Sequence, residues 1–288
     1  MNPKLSVVLA TFNEEENIKR CLDSVNNIAS EIIIVDGSSS DRTREISKDL
    51  GAKVIKTENH PNFHINKRKA IDLAKGDWIL QLDADETVSP ELAREIIKVM
   101  SFNETSAQNY QETLKQKELF LRHKKIVEKR DGAIGDNSKN YSAYFLPRLN
   151  FFLGGYLKYG GVYPDGVIRL FKKGYANLPA KDVHEQMVVE GKVGWLQNPL
   201  YHMDSPTFSR YLKRNSRYIN LIKDELKRNK TPKNIAKSIE YLLIKPLHWF
   251  FLTAIRHKGI LDGLRGIIFS FFSALRFPRA YIRYIQNK

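Results

Sequence analysis

Trp78-Ile-Leu-Gln-Leu-Asp83-Ala-Asp85-Glu86 decides how the chain is read. Five mostly apolar residues follow Gly76-Asp77, a turn signal, and predict a short buried strand. The strand ends on two acids with one residue between them. In an extended chain, side chains at i and i+2 share a face, so Asp83 and Asp85 are expected to point the same way. Open α/β sheets bind ligands at the carboxyl ends of their strands. Two carboxylates meeting there repel each other unless a cation lies between them. A hard divalent ion that keeps waters and also grips phosphate suits the place.

The residues before this stretch alternate strand and helix. Leu5-Ser-Val-Val-Leu-Ala10 predicts a first strand, and Thr11-Phe12-Asn13 a turn. Ile18, Cys21, Leu22 and Val25 have helical spacing. Glu31-Ile-Ile-Ile-Val35 is a second strand pattern, ending at Asp36-Gly37, and residues 42–50 a second helix stopped by Gly51. Residues 52–56 predict a third strand and 66–75 a third helix. Four strands with intervening helices imply an α/β fold, a parallel sheet with helices on both faces. Thr11, Phe12, Asp36, Asp83 and Asp85 then share one sheet edge. No G-x-G-x-x-G follows the first strand and no G-x-x-x-x-G-K-[ST] occurs, which argues against a Rossmann dinucleotide site and a P-loop. Paired carboxylates without a glycine-rich cradle suggest a diphosphate held through a metal.

Composition bounds the remainder. The chain has 288 residues, 42% of them hydrophobic, enough for a sizeable core. Its single cysteine, Cys21, rules out an internal disulfide framework and reads as core rather than nucleophile. Met1-Asn-Pro-Lys4 leads straight into a strand pattern without a secretory signal, so a cytoplasmic location is expected. The net charge is +15, and residues 201–288 hold 18 Lys and Arg against 5 Asp and Glu.

Three blocks carry a resemblance: Ser6-Val-Val-Leu-Ala-Thr-Phe-Asn-Glu-Glu15, Ile34-Val-Asp36-Gly-Ser-Ser-Ser-Asp-Arg-Thr43 and Leu82-Asp-Ala-Asp-Glu86. In this order and spacing they resemble the signature blocks of family 2 glycosyltransferases. These are inverting, metal-dependent GT-A enzymes using nucleotide-sugars. The resemblance implies a mostly parallel GT-A sheet flanked by helices. It implies that Thr11, Phe12 and Glu14 line the nucleoside pocket, with Phe12 against the base, and that Asp36 hydrogen-bonds the base, usually uracil. Asp83 and Asp85 would hold a divalent metal, Mg or Mn, and the sugar-diphosphate. The family often has a basic residue before an Asn in the helix preceding the metal block. Lys67 fits the basic position, Arg68 stands where the Asn would be, and either is a candidate for phosphate.

Pro164-Asp165-Gly166-Val-Ile-Arg169-Leu-Phe171 resembles a block of bacterial family 2 enzymes that build lipopolysaccharide core and related surface glycans. It makes Asp165 and Arg169 acceptor-side candidates, with a structural Asp165 as the alternative. Inverting transfer needs a general base for the acceptor hydroxyl. Glu185 matches the family's base in order and context, ahead of its neighbour His184. In related enzymes a histidine placed like His202 reaches the metal or diphosphate. No His/Cys cluster has zinc spacing.

Residues 108–130 hold helix formers with a broken apolar pattern, a helical excursion or a lid. The last third is basic, aromatic and helical. Its longest uncharged runs are about ten residues, whereas a span needs about 20. Basic residues interleaved with Phe, Trp, Leu and Ile suit the surface of an anionic bilayer. A nucleic-acid face would also be basic, but no helix-turn-helix, RNP-like or zinc pattern accompanies it. The expectation is a catalytic domain over 1–205, with a nucleotide-sugar half (1–100) and an acceptor half (101–205). A membrane-associating region follows over 206–288. The activity expected is transfer from a nucleotide-sugar, UDP-linked, to a lipid-linked or lipopolysaccharide-type glycan. It would take place on the inner face of the cytoplasmic membrane. The rival readings are a transferase acting on protein or a small molecule, and a basic membrane- or nucleic-acid-binding module on an inactive transferase fold.

Overall fold

A computed structural model describes residues 3–136, 140–179 and 187–286. The chain forms two compact units: Met1–Arg148 with Pro164–His202, and Leu149–Tyr163 with Met203–Lys288. This division puts the excursion over 149–163 with the carboxyl-terminal residues.

In the first unit the amino-terminal alternation is present: β1 (Leu5–Thr11), α1 (Ile18–Val25), β2 (Glu31–Asp36), α2 (Thr43–Asp49), β3 (Lys53–Lys56), α3 (His64–Asp72) and β4 (Trp78–Leu82). These four strands are parallel, in the order β3-β2-β1-β4. Period-2 alternation sends their side chains to two cores. Leu5, Val7, Leu9, Ile34, Leu80 and Leu82 pack with Ile18, Leu22 and Val25 of α1. Val8, Ile33, Val35 and Ile79 pack with Ala70 and Ile71 of α3. Every residue of β4 is buried because strands flank it on both sides. β3 is an edge strand, and its two lysines keep that edge wet.

The sheet then continues in the antiparallel sense. β5 (Glu86–Val88) leads into α4 (Pro90–Met100), whose start is set by Ser89 accepting from the Leu92 N–H at 3.1 Å and by Pro90 in the first turn. The charged stretch after it is two helices, α5 (Glu104–Glu112) and α6 (Lys117–Asp131), rather than one. β6 (Tyr141–Phe152), β7 (Gly155–Tyr156) and β8 (Asp165–Lys172) follow. β8 pairs antiparallel with both β4 and β6. After the short strands β9 (Ala176–Asn177) and β10 (Val188–Val189), β11 (Lys192–Trp195) lies parallel to β6, and β12 (Leu200–Ser205) pairs antiparallel with β5. That last pairing puts His202 opposite Glu86.

The second unit is mainly helical. α7 (Phe208–Arg228) begins at Thr207, whose hydroxyl accepts from the Arg210 N–H at 3.2 Å. An almost continuous helix follows, made of α8 (Ile235–Ile239), a π turn (Glu240–Ile244), α9 (Lys245–Phe251) and a second π turn (Leu252–Arg256). A 3₁₀ turn (Gly259–Asp262) leads to α10 (Leu264–Ala274) and α11 (Arg276–Gln286). Phe152 and Leu157 of the 149–163 excursion pack with Tyr211, Phe269 and Phe272. The backbone N–H groups of Lys158 and Tyr159 donate to the Asp262 carboxylate at 3.1 and 2.9 Å.

Candidate active site

Register brings the carboxyl ends of three parallel strands together. Thr11 of β1 lies beside Asp36 of β2, and Leu9 beside Leu82 of β4. The loops after β1 and β2 are laced to each other. Asp36 is fully buried, and its carboxylate accepts from the Thr11 hydroxyl at 2.8 Å, the Ser39 hydroxyl at 2.6 Å and the Ser39 N–H at 2.8 Å. Arg44 Nε lies 3.5 Å from it. Asn13, at φ 54°, accepts from the Ser40 N–H at 2.8 Å. The Glu14 N–H donates to the Thr43 hydroxyl at 2.8 Å, and its carboxylate accepts from Asn17 at 2.9 Å. On this fixed floor Phe12 is 45% exposed. A large apolar ring held open at a sheet edge has area to offer a flat ligand.

β4 ends at Leu82, and Asp83-Ala-Asp85 is a turn closed by the Glu86 N–H donating to the Asp83 carbonyl at 2.9 Å. The i, i+2 argument for a shared face needs extended backbone, which stops one residue too early. The two acids accordingly have different partners. Asp83 receives Lys67 Nζ at 2.5 Å on one oxygen and Arg169 at 2.5 Å on the other. Arg169 also bonds Glu86 at 2.7 Å and the Gln81 side-chain oxygen. Glu86, fully buried, accepts from the Asp83 N–H at 2.9 Å and lies 3.5 Å from Arg148. Arg148 reaches across from β6 to Asp165 on β8 at 2.7 Å. Three bases and three acids therefore form one connected set. Burial alone would raise the Asp83 pKa, but Arg169 and then Lys67 overcome it and hold the carboxyl well below its usual range. Burial lowers the Lys67 pKa against the pull of Asp83.

Asp85 instead faces His202 Nε2 at 3.5 Å. The distance is in the range separating neighbouring ligands of one octahedral cation, about 3 Å for ligand bonds of about 2.1 Å. Among the described residues no group of three or more His, Cys, Asp or Glu gathers around a common point. A carboxylate and an imidazole alone suit a cation that takes its other ligands from water and phosphate. Cys21 lies beneath the turn, its thiol 3.7 Å from the Asp83 carbonyl, and burial, then Glu86, pushes its pKa up. That is an inert core thiol.

The expected residues thus divide. Thr11, Phe12, Asp36, Lys67, Asp83 and Arg169 lie around the strand ends. Arg68 is exposed, about 100° round α3 from Lys67. Arg169 engages Asp83 and Glu86 directly, and Asp165 engages Arg148. His184 and Glu185 lie outside the described residues. Glu86 lies in the third block without a role assigned to it, and Gln81, Arg148 and His123 carry no sequence signal of their own. His123 of α6 accepts from the Gly166 N–H at 3.2 Å, and burial lowers its pKa against the pull of the nearby Asp165.

Comparison with known proteins gives three findings. The family model described as Glycosyl transferase family 2 matches residues 6–172. An uncharacterized glycosyltransferase of Rickettsia typhi is 28% identical over 291 residues, covering 96% of this chain and 86% of that protein. A crystal structure of glucosyl-3-phosphoglycerate synthase from Mycobacterium tuberculosis, in complex with Mn2+, UDP and glucosyl-3-phosphoglycerate, aligns at 22% identity and a TM-score of 0.32. That alignment covers 35% of this chain and 41% of that one.

Proposed function

The chain belongs to glycosyl transferase family 2 and is a glycosyltransferase; on that premise we propose that it moves a sugar from a UDP-linked donor to a lipid-borne glycan with inversion. The observation that carries the proposal is the convergence of Phe12, Asp36, Asp83 and the Asp85–His202 pair at the carboxyl ends of β1, β2 and β4. Phe12 stacks on the base, and Asp36 with Thr11 and Ser39 forms the pocket floor that accepts hydrogen bonds from it. Lys67 and Arg169 fix the Asp83 carboxylate, which accepts hydrogen bonds from hydroxyls of the donor sugar.

Asp85 and His202 are the residues that would hold Mg or Mn, and such an ion supplies neutralisation of the leaving diphosphate. Asp165 and Arg169 shape the acceptor side through Arg148 and Glu86. Glu185 is the candidate base, taking the acceptor hydroxyl proton as the new bond forms at the anomeric carbon. The excess of positive charge in residues 201–288 supports peripheral attachment at the inner face of the cytoplasmic membrane. No helix among the described residues is long and apolar enough to cross a membrane.

The test is calorimetric titration with UDP, GDP, CDP and dTDP, with and without Mn2+, followed by a panel of UDP-sugars. UDP is expected to bind best and to need the ion. Preference for another nucleotide, or equal binding in chelator, would overturn the donor and metal assignments respectively.

A further inference from the structure

The segment from Ile235 to Arg256 is a helix with a period of four. In a regular α-helix, four residues advance about 40° beyond a full turn, so a stripe at that spacing winds round the axis. Two π turns take up this drift, and each has a local cause. Pro246, in the first turn of α9, has no N–H to offer the preceding turn, and the backbone widens at Glu240–Ile244. The Thr253 hydroxyl donates to the carbonyls of Trp249 at 2.9 Å and Phe250 at 3.2 Å, loosening the ladder at Leu252–Arg256. Tyr241, Trp249 and Thr253 consequently face inward. Tyr241 stacks on Tyr281 at 5.2 Å, the Trp249 indole donates to Ser273 at 2.8 Å, and Thr253 is buried.

Half a turn away lie Ile239, Leu243, Leu247, Phe251 and Ile255. Their exposures are 46, 57, 57, 57 and 58%. Five large apolar side chains in line along one helix are far from the scattered single residues of an ordinary surface. Most tail aromatics do not contribute to it. Tyr281 and Tyr284 are buried, and Phe269 and Phe272 pack on Tyr211. Phe251 and Phe271 are exposed, so of the tail aromatics only some are open to a surface, and the exposed face is largely aliphatic. Lys237, Lys245, Arg256, Lys258 and Arg265 flank the stripe in sequence, against Glu240 and Asp262. Glu240 is shared by Lys237 at 2.6 Å and Lys245 at 2.9 Å, so this end of the helix also keeps a net positive charge.

We propose that this stripe lies flat in the headgroup region of an anionic bilayer, with its five apolar side chains toward the acyl boundary. The proposal deepens, and rests on, the peripheral-membrane reading. Charge complementarity selects the occupant. A second copy of the chain would bring an equally basic face against this one, whereas anionic lipid supplies the opposite charge around an apolar floor.

The experiment is co-sedimentation of the full chain with vesicles of phosphatidylcholine, alone or mixed with phosphatidylglycerol. It compares wild type with the triple variant Leu243→Ser, Leu247→Ser, Phe251→Ser. Wild type is expected to bind the mixed vesicles, less at high salt. The triple variant should lose about tenfold or more in partition coefficient, given the apolar area removed. Its helical circular dichroism and its UDP binding should stay unchanged. A second variant, Arg256→Glu with Lys258→Glu, should weaken binding to mixed vesicles only. Failure of wild type to bind any vesicle would overturn the membrane reading itself. Equal binding by wild type and the triple variant would leave that reading standing and overturn the stripe. A wild-type dimer that becomes monomeric in the triple variant, without loss of vesicle binding, would make the stripe a self-association face.

Discussion

Arg169→Met is the most informative single change. The Arg169 guanidinium joins Asp83 at 2.5 Å to Glu86 at 2.7 Å; Arg169, Glu86 and Gln81 are buried, and Asp83 is half-buried. Removing it leaves Asp83 with Lys67, and Glu86 with Arg148 at 3.5 Å and one backbone N–H. Breaking a buried ion pair costs about 3–5 kcal/mol because a buried charge is left behind. The remaining partners put this case near about 3 kcal/mol. At about 2–4 °C per kcal/mol for a domain of this size, the melting temperature should fall by roughly 6–12 °C. Arg169→Lys should recover little, since one ammonium cannot reproduce a fork reaching two carboxylates. Glu86→Gln added to Arg169→Met should restore about 1–2 kcal/mol, because the stranded charge is gone. Thermal and urea unfolding at neutral pH measure these variants, Glu86→Gln alone and wild type. A loss under about 1 kcal/mol, or single losses that add within about 0.5 kcal/mol, would refute the argument that these groups act as one buried set.

Other outcomes follow from the same geometry. Asp85→Asn and His202→Ala should each abolish Mn2+-dependent UDP binding with little change in melting temperature; retained metal dependence in both would remove the pair from the metal site. Phe12→Ala should weaken UDP binding about tenfold or more, the scale of one base–aromatic stack, and unchanged affinity would move the base elsewhere. Glu185→Gln should keep donor binding and lose about 10²–10⁴-fold in turnover; a loss under about threefold would pass the role to another residue, His184 first. Acid should act through Asp83. Its folded pKa is lowered, so its contribution is complete above the unfolded value of about 3.9 and disappears as pH falls through the folded one. Melting temperature against pH should therefore drop less steeply below about pH 4 in Asp83→Asn, and parallel curves would count against the assignment.

The amino-terminal half was legible because its strands are buried on both faces. Such strands read as unbroken apolar runs, and Trp78–Leu82 falls where the sequence places it. The antiparallel half was not. β8 finds β4 and β6 through contacts between residues far apart in the chain, and no local pattern encodes them. The site divides likewise. Phe12 follows β1 and Lys67 reaches Asp83, but the different partners of Asp83 and Asp85 depend on where β4 stops. Asp36, read as a group for the base, also ties two loops together, so Asp36→Ala perturbs fold and ligand at once. In the tail, composition revealed an excess of aromatics and positive charge. It could not reveal that Tyr241 and Trp249 point inward while Phe251 points out with its aliphatic neighbours, because that is decided by two π turns.

The three-acid, three-base set also has a consequence in time. Glu86 and Arg169 are 83 residues apart. At roughly 5–20 residues per second of synthesis, about 4–17 seconds pass between their emergence. For most of that interval Asp83 and Glu86 have only Lys67 for compensation, since Arg148 emerges late in it. The first hundred residues can thus pair their four parallel strands early, yet the turn after β4 lacks its arginine partners until β6 and β8 arrive. A nascent or truncated chain would not acquire a half-working pocket. The charge set around Asp83 is completed only once β6 and β8 have been made.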